Sequence, residues 1–140
     1  MKAKAEISRQ LMVKVKDSIG TLAEITGAIS SSNINQIAIC AYAIGDDVAL
    51  MFVTEDNNAA RKLLEEKGYV VEEEEVVLLS MSNEPGALQT ITDKIAEAGI
   101  DLQFLYGSVS DNSPMSRLVL LADNNMDVVL LIKTEFERNE

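Results

Sequence analysis

The sequence predicts an α+β fold made of two tandem β-α-β-β-α-β modules, each an antiparallel sheet with both helices on one face. Three observations carry this. The first is an internal repeat: Asp17-Ser-Ile-Gly20-Thr-Leu22 returns as Asn83-Glu-Pro-Gly86-Ala-Leu88. At the same offset Ile25, Thr26, Ile29, Ile34 and Asn35 meet Ile91, Thr92, Ile95, Ile100 and Asp101, and Asp56-Asn57-Asn58 meets Asp123-Asn124-Asn125 after one inserted residue. A repeat this long exceeds a solenoid unit and suits a small domain. The second is strand alternation ahead of each repeated turn, with Leu11, Val13 and Val15 in one copy and Val77, Leu79 and Met81 in the other. The third is helical spacing after it: Leu22, Ile25 and Ile29, then Leu88, Ile91 and Ile95, each set on one helix face.

The remaining elements follow in order. Asp17 or Ser18 is expected to cap the first helix. Pro85 is expected at the first helical position of its counterpart, with Asn83 or Glu84 as the cap. Asn33 and Gly99 suit left-handed C-terminal caps. Strands are expected over 35–43 and 48–54, joined by Gly45-Asp46-Asp47, and again over 101–109 and 117–122, joined by a longer loop through Asp111–Pro114. A helix over 58–67 stops at Gly68, and Tyr69–Val71 is the fourth strand of the first copy. This order is the ferredoxin-like pattern. The second copy ends on a helix over 125–136 and lacks its own fourth strand, a place open to residues 3–9 or to pairing with the other repeat. Val48–Val53 is apolar almost without interruption and 102–106 nearly so, as in strands covered on both faces. The modules are set at 1–72 and 76–140, and Glu72–Glu75 reads as a solvated junction.

Composition narrows the function. The chain has 140 residues, is 47% hydrophobic and carries a formal net charge of −11. That charge excludes a nucleic-acid footprint and disfavours anionic membranes. There is no histidine, so the usual general base, proton shuttle and metal ligand are missing. Cys40, the single cysteine, reads as a buried packing residue, Met12, Met51, Met81 and Met115 as fillers, and Tyr42, Phe104 and Tyr106 as core or interface packing. No catalytic residue, cofactor or metal is expected. With neither a secretory signal nor an apolar run of about 18 residues, the chain is expected to be cytoplasmic.

The strand, the Asp/Asn-x-x-Gly-x-Leu opening a helix, and the Ile-Asn or Ile-Asp opening the second strand resemble the ACT domain. The likeness covers residues 10–72 and 76–136 as two copies. Asn83-Glu84-Pro85-Gly86-Ala87-Leu88 followed by Gly99-Ile-Asp101 matches better than the first copy, which has Ile19 in place of proline. The resemblance implies a regulatory module that binds a free amino acid where two modules meet. One site would then pair the Asn83–Leu88 turn with Ile34 and Asn35. The other would pair Asp17, Gly20, Thr21 and Leu22 with Asp101.

Chemistry supports the turns independently. A glycine turn feeding a helix leaves backbone N–H groups and a positive dipole end for a carboxylate, and an asparagine can meet either end of a zwitterion. Asn83 with Asn35 is neutral, whereas Asp17 with Asp101 places two carboxylates together, so the first is the stronger site. The surrounding acid favours a ligand with a polar or basic side chain. The leading reading is a non-catalytic, allosteric amino-acid sensor, a homodimer that signals to an enzyme or regulator. The alternative is a protein-interaction or dimerisation scaffold whose turns are ordinary helix caps.

Overall fold

The structure, a computed structural model, describes residues 1–16, 19–108 and 110–137. The elements run β1 (Ala3–Lys16), α1 (Thr21–Ser31), β2 (Gln36–Ile44), β3 (Asp47–Thr54), α2 (Asn57–Glu66), β4 (Val71–Ser82), α3 (Ala87–Glu97), β5 (Leu102–Ser108), β6 (Met115–Ala122) and α4 (Asn125–Ile132). A π-helical turn, Lys133–Glu137, continues α4. The chain divides into two compact units, residues 9–74 and residues 1–8 with 75–140. Strands β1 and β4 are each long enough to serve both.

In the first unit the strands lie in the order β2-β3-β1-β4. Leu11, Val13 and Val15 of β1 sit opposite Phe52, Leu50 and Val48 of β3. Leu11, Val13, Leu50 and Phe52 point to α1 and α2, where Ile25, Ile29, Ala60 and Leu64 close the core. β3 is buried in both phases from Leu50 to Thr54, as its unbroken apolar run demands. Cys40, by contrast, is half-buried, because β2 is the edge strand of this unit.

In the second unit the order is β1-β4-β6-β5. The vacant fourth place is held by the start of β1: Ala3 and Ala5 are buried in this core, and the Ser82 N–H donates to the Lys2 carbonyl at 2.8 Å. Val77, Leu79 and Met81 of β4 and Leu118, Leu120 and Ala122 of β6 meet Ala87, Ile91 and Ile95 of α3 and Val128 and Ile132 of α4.

Three helices end alike. Asn33, Gly68 and Gly99 take φ of 59°, 93° and 71°, and the next N–H reaches back to Ile29, Leu64 or Ile95. These paired bonds satisfy the last carbonyls of each helix, as expected for Asn33 and Gly99. Tyr69 is spent on that closure, so the fourth strand starts at Val71 rather than at Tyr69. The Tyr69 hydroxyl also donates to Glu24 Oε1 at 2.7 Å, and that bond holds the phenol above its ordinary titration range.

The acidic run does hold the boundary between the two units, at Glu74/Glu75, with Glu72 and Glu75 exposed, but it is paired strand and not a solvated linker. Glu72–Glu75 lie inside β4, where Glu73 meets Arg9 at 3.3 Å, Glu74 accepts from Gln10 at 2.9 Å and Glu75 accepts from Asn125. Side-chain partners on alternate faces outweigh the weak strand preference of glutamate.

The Asp-Asn-Asn repeat is also one residue out of the expected alignment. Asp56 caps α2 through Ala59 N, and Asn124 caps α4 through Asp127 N. The next residue stitches two strands in each unit. Asn57 Oδ1 accepts from Thr54 N and its Nδ2 donates to the Arg9 carbonyl. Asn125 Oδ1 accepts from Ala122 N at 2.9 Å and its Nδ2 donates to the Glu75 carbonyl at 3.2 Å. Asn125 is 8% exposed, so removing it strands buried backbone groups. Asn125→Ala is expected to lower stability by about 2 kcal/mol. Denaturant titration checks this; a change within error would mean the stitch contributes nothing.

Candidate functional site

The repeated turns deliver strands into helices by one device. In the second unit the Ala87 N–H donates to the Glu84 carbonyl at 3.2 Å, and Gly86 has φ 84° and ψ −6°. Those angles and Pro85 ahead of them define a type II β-turn, which needs a left-handed residue at its third position. Pro85 is therefore the second residue of that turn and not the first of the helix. Gly86 is the N-cap, with no side-chain cap bond, so neither Asn83 nor Glu84 caps α3. In the first unit Gly20 repeats the geometry, φ 90° and ψ −7°, while Asp17 and Ser18 lie outside the described residues.

Asn83 has another task. Its Nδ2 donates to the carbonyls of Ser110 and Ser113 at 2.9 and 3.0 Å, and its N–H donates to the Pro114 carbonyl at 2.9 Å. It clamps the β5–β6 loop beside the turn, which leaves Oδ1 as its acceptor.

Leu22 and Leu88 do not join the buried helix faces; they are 43% and 41% exposed. In α3 the buried stripe is Ala87, Ile91 and Ile95, spaced by four, which turns Leu88 outward. Leu88 there walls an open cleft of about 460 Å³ with Gln89 and Thr92. Met81, Ser82 and Ser116 form its floor, and Asn83, Glu84 and Gly86 its rim. No carboxylate stands in the first turn of α3, whereas Glu24 stands in the first turn of α1. The N–H groups of Leu88 and Gln89 belong to the first helical turn and have no intrahelical acceptor. A Cβ added at Gly86 would meet nothing within 4 Å, so the turn is open to an incoming group.

The other expected residues fall elsewhere. Ile34 and Asn35 line a groove of about 480 Å³ in the first unit with Thr26, Ser30 and Gln36, and Asn35 Nδ2 reaches Glu55 at 3.4 Å. Gly20 is exposed and Thr21 half-buried. Asp101 is exposed, and its carbonyl accepts from Asp123 N at 3.2 Å. Pro85 and Ala87 support the turn and are not among the cleft residues; Ala87 is 3% exposed. Gln89, Thr92 and Ser116 were missed in the sequence. Helical spacing from Gly86 marks the first two, and strand pairing of Ser116 with Met81 marks the third.

A two-unit α+β chain with a glycine-gated cleft at a helix start in one unit is the outcome of this geometry. The chain belongs to the ACT domain pair family, whose model matches residues 6–140. Among solved structures it is similar to a protein from Bacteroides thetaiotaomicron, 26% identical over 94% of this chain and 89% of that one, with a TM-score of 0.81. It is similar in fold to the ligand-free regulatory subunit of aspartate kinase from Thermus thermophilus, 12% identical over 97% of both chains, TM-score 0.71. The corresponding subunit from Thermus flavus is 12% identical over 96% of both, TM-score 0.61. No curated protein matches the sequence. No helix among the described residues is long and apolar enough to cross a membrane.

Asn83→Asp keeps the acceptor and removes both donated bonds. It is expected to cost about 1 kcal/mol and to speed amide exchange across residues 110–114. Unchanged exchange there would show that the clamp is idle.

Proposed function

We propose that this chain is a non-catalytic amino-acid sensor that takes its ligand's carboxylate at the start of α3. One observation carries the reading. The α3 turn offers two unmet backbone N–H groups with no acid in the first helical turn, beside a cleft that Gly86 leaves open. Asn83 Oδ1 and Glu84 are then the acceptors for the ammonium group. Glu84, the one charged side chain of the lining, favours a polar or basic ligand side chain. Family resemblance adds a contribution from a second module. The matching turn at Gly20 is the weaker receptor, since Glu24 already sits at the positive end of its helix.

A ligand of this kind acts by its different affinity for two arrangements of the protein. The listening partner is an enzyme or a regulator, in keeping with the regulatory role named for the Thermus structures.

Screening the twenty amino acids by thermal shift tests the proposal. One or a few should stabilise the protein; at a hundredfold excess over Kd the gain is about 2.7 kcal/mol, or roughly 8 °C in Tm. Thr92→Tyr fills the cleft and should abolish the shift while leaving the unliganded melt in place. If no amino acid moves the melt, the sensor reading fails and the interaction scaffold takes its place.

A further inference from the structure

Helix α4, with sequence NMDVVLLI, has almost no polar face. Val128 and Ile132 are fully buried in the second unit, yet Met126 is 49% and Leu130 53% exposed. The duplication supplies an internal control. In the first unit α2 reads NNAARKLLEE, buries Ala60 and Leu64, and turns Lys62, Glu65 and Glu66 to solvent. The same element has a solvated face in one copy and an apolar one in the other. The exposed pair Met126 and Leu130 forms an apolar ridge with no counterpart on α2, flanked by charge at Asp127 and Lys133, and such a ridge suits a partner.

The pattern of that face says which partner. Counting from Leu130, Asp127 lies three residues before and Lys133 three after, with Met126 and Thr134 four to either side. Lys133 keeps helical angles, φ −60° and ψ −45°, so the phase of α4 extends to it. Asp127, Lys133, Met126 and Leu130 are all exposed, and among the described residues neither Asp127 nor Lys133 forms an ion pair within the chain. An identical helix laid antiparallel on this face, with Leu130 on the twofold axis, places each Asp127 against Lys133 of the second copy. We propose that this face of α4 is an isologous docking surface for a second copy of this chain. The proposal stands apart from the amino-acid reading, since α4 contributes nothing to the α3 cleft.

The surface is small against the roughly 800 Å² per partner of a standard interface, so the association is weak and concentration-dependent. Sedimentation equilibrium of the full chain, at concentrations bracketing about 0.1 mM, is expected to show monomer–dimer exchange. Leu130→Glu, at an exposed position, should weaken it at least about tenfold with an unchanged melt. Asp127→Lys and Lys133→Asp should each weaken their own dimer, because each places like charges in register. An equimolar mixture of those two variants should regain the association, since every cross pair is then opposite in sign. A wild-type chain that stays monomeric throughout overturns the proposal and leaves the face to a partner of another kind. So does a dimer indifferent to Leu130→Glu, or a mixture no stronger than its components.

Discussion

The left-handed glycine ahead of each first helix is the constraint on which the rest turns. At Gly86 the chain leaves a strand and enters a helix within one type II turn, and Gly20 takes the same left-handed angles at the start of α1, φ 84° and 90°. A side chain at such angles costs about 1–2 kcal/mol, so the bend is bound to glycine. The bend has two consequences. It leaves the first-turn N–H groups of α3 uncapped by any side chain, and it sets the helix so that Ala87, Ile91 and Ile95 face the sheet. Stability and a receptive surface thus come from the same residue. Pro85 strengthens the second turn by presetting its own φ, an advantage that Ile19 lacks in the first.

Much of the fold was legible because the sequence states it twice. The helix stops at Asn33 and Gly99, the alternating phases of Leu11–Val15 and Val77–Met81, and the absent fourth strand of the second copy all follow from period and turn chemistry. What escaped the sequence was decided by long-range partners. Glu72–Glu75 reads as a solvated run until Arg9, Gln10 and Asn125 are placed beside it. Asn83 reads as a cap because nothing local reveals the carbonyls of Ser110 and Ser113 that occupy its amide. The buried stripe of α3 begins at Ala87 rather than Leu88, a shift of one residue that hydrophobicity alone could not resolve. That shift is what gives the cleft its apolar wall.

Duplication has also let the two copies diverge by element. The first keeps an acid at its helix start, bonded to Tyr69, and a charged outer face on α2. The second has a neutral first turn on α3 and an apolar α4. Each loss of charge falls on a surface that the proposals here assign to a ligand or a second copy. The Asx stitches at Asn57 and Asn125, by contrast, remain alike in both, because their bonds are internal to each unit.

The opening residues Ala3–Ser8 belong to the unit that is otherwise made last. On a ribosome, residues 9–74 can close as soon as they have emerged, since every strand of that unit is then available. The first eight residues cannot. They must hang unpaired until β4 and the elements after it have been synthesised, and only then zip into the remaining edge. Pairing residues 3–8 with β4 is thus a closure of high sequence separation, which slows the folding of the unit that contains it.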